Sequence, residues 1–172
     1  ECVFLDECRT EGIKIIRRSS AGGAVLQGPG CLNFSIYLDL NKRTELREIR
    51  NSYKHILGRL ANSINQKYSL CLEIKGICDL VYMNKKVGGN AQRRNNRILL
   101  HHGTILLNVD YELMEKTLKI PIEQPEYRMN RGHREFVGSL PITREEITKI
   151  LIETFGDKFF FSELTPDEKY EI

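Results

Sequence analysis

Residues 45–66 limit the possible folds more than any other stretch. Leu46, Ile49, Tyr53, Ile56, Leu57, Leu60 and Ile64 recur at spacings of three and four, which gathers them on one stripe of an α-helix. Thr44 can cap this helix, and Glu45 and Glu48 place negative charge in its first turn, where the helix dipole favours it. A helix with one apolar stripe must lay it on another element, and the flanking sequence supplies strands. In residues 31–40, Leu32, Phe34, Ile36 and Leu38 alternate with more polar neighbours, as on a half-buried strand. Further β-prone runs lie at 70–74, 78–83, 86–88 and 98–108, with Asn84-Lys85 as the turn between two of them. Shorter strands are expected at 13–16, 24–26 and 159–161.

The remaining helices are weaker. Residues 1–11 read as a short helix or a loop, and Asp110 begins a short helix ending near Leu118. Thr143 and Glu146 form a capping-box pair before Ile147, Ile150, Leu151 and Phe155, so a helix runs to Phe155 and Gly156 ends it. A last helix is expected from Thr165 to Ile172, and residues 121–132, with two prolines, form a surface loop. Hairpin-spaced strands outnumber the helices between them. The fold expected is α/β of the α+β type: a mixed, largely antiparallel sheet packed with helices. A chain of 172 residues can bury roughly two-thirds of its unfolded surface as one domain spanning 1–172. No apolar run approaches 18 residues, so no membrane partner is expected. The five cysteines include no C-x-x-C pair, which argues against a Cys/His metal site and for a reducing, cytoplasmic setting. The net charge of +3 is mild and no aromatic platform accompanies it, so nucleic acid is not an expected partner either.

Two glycine-rich, cationic stretches carry the chemistry. Arg17-Arg18-Ser19-Ser20-Ala21-Gly22-Gly23-Ala24-Val25 is one; Lys86-Val87-Gly88-Gly89-Asn90-Ala91-Gln92-Arg93, followed by His101-His102-Gly103-Thr104, is the other. Glycines allow a ligand to lie against the main chain, and a lysine beside them can neutralise a phosphate or carboxylate. Neither stretch is a P-loop or a G-x-G-x-x-G fingerprint. Together they suggest one anionic ligand held from two sides. Arg93, Arg94 and Arg97 read equally well as a docking face for an acidic partner or as a solvated face.

In order and spacing these blocks resemble the lipoate-protein ligase group of the biotin/lipoate ligase and octanoyltransferase superfamily. The matching elements are Arg17-Arg18, Ala21 to Val25, Gly30 with Asn33-Phe34-Ser35, Asp79-Leu80, Lys86 to Arg93, and His102-Gly103-Thr104. The resemblance implies a fold like the catalytic domain of biotin synthetase and class II aminoacyl-tRNA synthetases. It implies a ligase that joins lipoate or octanoate to AMP, using ATP and Mg²⁺, and passes the acyl group to a lysine of a lipoyl domain. The acceptors implied are lipoyl domains of 2-oxoacid dehydrogenase E2 subunits or the glycine cleavage H protein. On this reading Lys86 is the catalytic cation, bonded to the acyl carbonyl and the phosphate. Arg18, Ala21, Gly22, Gly23, Ala24, Val25, Leu26, Asn33, Asp79, Gly88, Gly89, Asn90, Ala91, His102, Gly103 and Thr104 contact substrate or nucleotide. Asp79 is the candidate Mg²⁺ ligand, and residues near Val25 and Leu106 would line an apolar tunnel for the acyl tail.

The sequence departs from the family pattern at several points. Ala21 replaces a glycine, and Gln27-Gly28 replaces a His-Asp pair. The resemblance implies a first strand and helix before Arg17-Arg18 that are expected to be largely missing, and a single catalytic domain without an accessory C-terminal domain is expected, which makes a separate accessory subunit a candidate partner. Two alternatives stay open. One is an octanoyl- or lipoyl-transferase that takes its acyl group from a carrier without ATP and depends on a thiolate, although Cys31 and Cys78 read better as small buried hydrophobes. The other is a catalytically silent module that binds lipoyl domains.

Overall fold

A computed structural model of the chain describes residues 2–156; the strand and helix expected at 159–161 and 165–172 lie outside them. The elements in order are α1 (Leu5–Thr10), β1 (Cys31–Asp39), α2 (Ile49–Tyr68), β2 (Glu73–Lys75), β3 (Asp79–Tyr82), β4 (Lys85–Arg94), β5 (Ile98–Leu106), α3 (Tyr111–Thr117), α4 (His133–Phe136) and α5 (Arg144–Phe155). The strands form one sheet in the order β1-β5-β4-β3-β2, and every neighbouring pair is antiparallel.

The apolar stripe of α2 lies on this sheet as its spacing requires. Tyr53, Leu57, Leu60 and Ile64 join Leu32, Leu80, Val87 and Ile105 from the strands and Ile147 and Ile150 from α5 in the main core. Ile56 completes a smaller cluster with Leu40, Leu46 and Leu99. The polar side of the helix ends contributes ties of its own. Asn65 near the end of α2 donates to the Leu72 carbonyl and accepts from the Leu72 amide, at 3.0 and 2.8 Å, fixing the chain as it enters β2. α5 has the full capping box of Thr143 and Glu146. Leu106 ends β5 on the opposite face from Ile105, in a third cluster with Met114, Phe136 and Val137 from the α3–α4 region.

Several elements differ from the sequence reading. α2 begins at Ile49, because the Glu48 carboxylate accepts from the amides of Arg50 and Asn51 and caps the helix there; Thr44–Leu46 is a separate 3₁₀ turn. β4 runs the ten residues Lys85–Arg94, since pairing with both β3 and β5 holds Gly88 and Gly89 in the ladder. The hairpin before it turns at Met83-Asn84, with φ of +48° and +59°, the geometry of a two-residue I′ turn. Residues 13–16 and 24–26 are not strands, because no ladder in the described residues includes them. The expected loop at 121–132 contains the 3₁₀ turn Glu126–Arg128 and leads directly into α4. Among the described residues no helix is long and apolar enough to cross a membrane.

Candidate functional site

A β-bulge makes the site. β3 and β4 pair Asp79 with Gly89 and Leu80 with Gly88, and then Val81 with Lys86, leaving Val87 without a partner. In an unbroken strand Lys86 and Gly89, three residues apart, would point to opposite faces. The extra residue brings Lys86 onto the face shared by Gly89 and Asp79. There the Lys86 Nζ lies 2.6 Å from Asp79 Oδ1. A Cβ at Gly89 would sit 3.1 Å from Lys86 Cε and 3.2 Å from its Nζ, so the glycine leaves the room in which the lysine lies. Asp79 is buried, at 6% exposure, and its second oxygen, Oδ2, accepts a 2.8 Å hydrogen bond from the Tyr127 hydroxyl. Burial, and then the Asp79 charge, push the Tyr127 phenol well above its ordinary value, so it stays protonated and donates. The neighbouring Cys78 thiol is also pushed up, by burial first and then by Asp79.

The same face continues across β4, β5 and β1. Thr104 stands between Gly89 and Asn33 in the ladder, and His102 between Ala91 and Ser35. Thr104 Oγ1 donates to Asn33 Oδ1 at 2.7 Å and accepts from Gln27 Nε2 at 2.9 Å. His102 Nε2 lies 2.6 Å from Ser20 Oγ, and burial, followed by the charge of Arg18, lowers its pKa. These two bonds pin the ends of the 20–27 segment over the sheet. Just before that segment Arg18 curls back on the loop, donating from Nη1 to the Gly23 carbonyl at 2.8 Å and from Nη2 to the Ala21 carbonyl at 3.0 Å. Gly22 has φ of +117°, and a Cβ there would lie 2.6 Å from Arg18 Nη2. Ala21, Gly22, Gly23, Ala24 and Val25 are exposed, and Leu26 is half-buried against the third cluster.

The sheet's period of two separates other expected contacts from this group. Asn90 pairs with Gly103, and a Cβ at Gly103 would meet Asn90 Oδ1 at 2.0 Å and Phe34 Cε1 at 2.9 Å. Both therefore face the α2 side, where Asn90 Nδ2 donates to the Cys78 carbonyl. Gly88 faces Leu80 on that side too. Leu106, expected beside an acyl tunnel, is 7% exposed and packed into the filled third cluster. Asp79 does not fit the role of a magnesium ligand. Its two oxygens are held by Lys86 and Tyr127, and among the described residues no group of three His, Cys, Asp or Glu side chains could hold a metal ion.

Sequence reasoning missed Tyr127, Ser20 and the use made of Gln27. Tyr127 stands in a proline-containing stretch without periodicity, and no local signal marks it. It is held from behind by Arg131, whose Nη2 donates to the Tyr127 carbonyl at 2.9 Å and whose Nη1 reaches the Asn84 carbonyl at 3.1 Å. The guanidinium groups of Arg128 and Arg131 lie 4.5 and 5.4 Å from the Phe136 ring centre, a cation–π arrangement that fixes this corner. The site thus combines a half-exposed ammonium, a neutral imidazole, hydroxyl and amide groups, and an exposed glycine-rich backbone. Such a surface can bind an anion and stabilise charge developing on oxygen.

Comparison with known proteins identifies the family and the fold. The family model described as the lipoyl protein ligase A/B catalytic domain matches residues 1–159. The octanoyltransferase LipM of Brevibacillus brevis is 30% identical over 195 residues, covering 95% of this chain and 69% of the relative. Among solved structures, the bi-partite lipoate protein ligase of Thermoplasma acidophilum, described with its E2 lipoyl domain, superposes with a TM-score of 0.78 at 24% identity, covering 99% of this chain and 69% of that one. The biotin protein ligase of Aquifex aeolicus follows at a TM-score of 0.52 and 15% identity, over 74% of this chain and 49% of that one. Those two structures establish the shared fold, and with a family model that spans nearly the whole sequence the chain belongs to the lipoyl protein ligase A/B catalytic-domain family.

Proposed function

We propose that this chain is a lipoate-protein ligase: it binds lipoate or octanoate as the acyl-adenylate made from ATP and passes the acyl group to a lysine of a lipoyl domain. The observation that carries this reading is Lys86, held by Asp79 beside Gly89, on the face of the sheet to which the glycine-rich segment is tied through Ser20–His102 and Gln27–Thr104. The neutral acceptor amine attacks the acyl carbonyl, a C–N bond forms, the C–O bond to the phosphate breaks with AMP as leaving group, and the amine's surplus proton passes to solvent. Negative charge grows on the carbonyl oxygen and on the departing phosphate, between which the Lys86 ammonium would donate. The backbone of residues 21–25 would lie against the phosphate, where side chains would obstruct it. Magnesium would enter with ATP as the nucleotide's own counter-ion. Lipoyl domains, such as those of 2-oxoacid dehydrogenase E2 subunits or the glycine cleavage H protein, are the acceptors. A separate accessory subunit is part of this reading, in keeping with the bi-partite Thermoplasma ligase.

The likeness to an octanoyltransferase favours a second reading: transfer from a carrier thioester without ATP. Transfer through a covalent acyl-enzyme would use a cysteine thiolate. Cys78 is unsuited, because burial and Asp79 disfavour its ionised form, and the Cys31 thiol points at the Leu26 carbonyl. Cys2 and Cys71 are the exposed thiols.

Intact-mass analysis of a purified lipoyl domain separates the readings. Incubation with lipoate alone, lipoate with Mg-ATP, pre-made lipoyl-AMP and an octanoyl carrier thioester are the four arms. Ligase activity predicts a mass gain that requires ATP or the adenylate and survives alkylation of the exposed thiols. Lys86→Ala should slow it roughly 10²–10³-fold, as loss of a charge-stabilising donor does. A gain from the thioester alone, abolished by alkylation, would establish the transferase. Gain only from the adenylate would mean that a partner performs the activation.

A further inference from the structure

Asp79 is shared. Its Oδ1 holds the Lys86 ammonium at 2.6 Å, while Oδ2 receives the Tyr127 hydroxyl at 2.8 Å. No other hydrogen bond to Oδ2 is present among the described residues, and Oδ1 has only the distant Cys78 thiol, at 3.9 Å, besides the lysine. The carboxylate is almost fully buried, so water cannot replace a lost donor at low cost. Tyr127 itself cannot drift. Arg131 bonds its carbonyl and the hairpin at Asn84, and its ring packs at 5.2 Å from the Phe136 ring.

We propose that Tyr127 is a positioning residue that sets how tightly Lys86 is held, acting through Asp79. This deepens, and rests on, the assignment of Lys86 to the acyl-transfer step. With the phenol on Oδ2, Asp79 offers the lysine one oxygen and part of its charge is already neutralised. Lys86 can then leave Oδ1 for an incoming acyl phosphate. With that donor gone, the carboxylate turns both oxygens to the ammonium and binds it more firmly, because a buried carboxylate seeks whatever donor remains. The surrounding groups do not substitute for the phenol. Arg18 and Cys78 act on this corner from the glycine-rich segment and from the residue before Asp79, and Lys75 lies 5.9 Å from the centre of the Tyr127 ring without bonding to Asp79.

The test measures Lys86 directly, so it does not depend on turnover. The free protein is pulsed at one fixed pH with a small amine-acylating reagent, and acylation of Lys86 is followed by peptide mass spectrometry. The lysine side chain is 30% exposed, enough for a small reagent to reach. In Tyr127→Phe the labelling of Lys86 should slow by about tenfold relative to the wild type, while other lysines keep their rates. In an Asp79→Asn background Tyr127→Phe should produce no further change. Should Tyr127→Phe fail to fold, 3-fluorotyrosine placed at position 127 keeps the shape and strengthens the donor, and labelling of Lys86 should quicken. An unchanged Lys86 rate in a folded Tyr127→Phe or 3-fluorotyrosine protein overturns the proposal, as does an equal Tyr127→Phe change with and without Asp79. In the transfer assay Tyr127→Phe should lower kcat about tenfold with KM for the acyl donor unchanged. If the wild-type protein acylates nothing, the ligase reading fails and the labelling result still decides the role of Tyr127.

Discussion

Glycines on adjacent strands show how one atom can act on chemistry at one position and on stability at another. At Gly89 an added Cβ would meet only the flexible end of Lys86, at 3.1 and 3.2 Å. Gly89→Ala should therefore leave the unfolding midpoint in urea nearly unchanged. It should slow acyl transfer by about 10-fold or more, because displacing a reacting group by an ångström is enough for that loss. At Gly103 the added Cβ would fall 2.0 Å from the buried Asn90 Oδ1 and 2.9 Å from Phe34 Cε1. Gly103→Ala should cost about 1–3 kcal/mol of stability by overpacking, read from the same urea titration. The two glycines were indistinguishable as motif letters. Only the ladder register, which places Gly89 opposite Asp79 and Gly103 opposite Asn90 and Phe34, assigns them to different faces.

The contact between α2 and the sheet carries a buried polar chain as well as an apolar core. Arg94 donates to Ser52 Oγ at 2.8 Å and to Gln92 Oε1 at 2.7 Å, and Gln92 Nε2 lies 3.1 Å from His101 Nδ1. His101 is fully buried beneath Phe34 and Tyr53. Burial, and secondarily His102, push its pKa down from 6.5 to about 4. The unfolded chain takes up this proton between those values and the folded chain does not. Stability is therefore fully present above about pH 6.5, is lost as pH falls towards 4, and falls no further on this account below that. The loss amounts to at most about 3 kcal/mol. Urea titrations at pH 7 and pH 4.5 should show it, and His101→Gln should remove most of the difference. The apolar stripe of α2 was legible because spacing alone defines it. The polar chain was not, because Gln92 and His101 meet across two strands and Ser52 reaches them from a helix. The helix start was misplaced for a related reason: Thr44 and Glu48 are both capping residues, and only Glu48 turned its carboxylate onto the amides of Arg50 and Asn51.

At the scale of the molecule, one face of the sheet is sealed by α2 and α5, while the other keeps an exposed stretch between β1 and the Lys86 corner. The sequence motifs located that stretch, since Lys86, His102, Thr104 and Asn33 converge on it. Tyr127 stayed hidden because a residue that acts through a third side chain leaves no spacing signal. The segment at 14–27 has little backbone bonding of its own. Among backbone amides of residues 14–27 none donates to another backbone group in the described structure, and most of these residues are exposed. Its side-chain ties to the sheet are the Ser20–His102 and Gln27–Thr104 bonds, the Cys31 thiol at the Leu26 carbonyl and the packing of Leu26 on the third cluster, with Arg18 closing the loop on itself. Hydrogen exchange should therefore be fast at 14–27 in the free protein and slow in the middle of α2, where opening requires disruption of the core. Addition of lipoyl-AMP should slow exchange at 21–25 by an order of magnitude or more, as those amides turn to the phosphate, and leave α2 unchanged. Protection that appeared instead at the α3–α4 region, with 21–25 still fast, would place the anion away from the glycine-rich segment and separate Lys86 from the role given to it here.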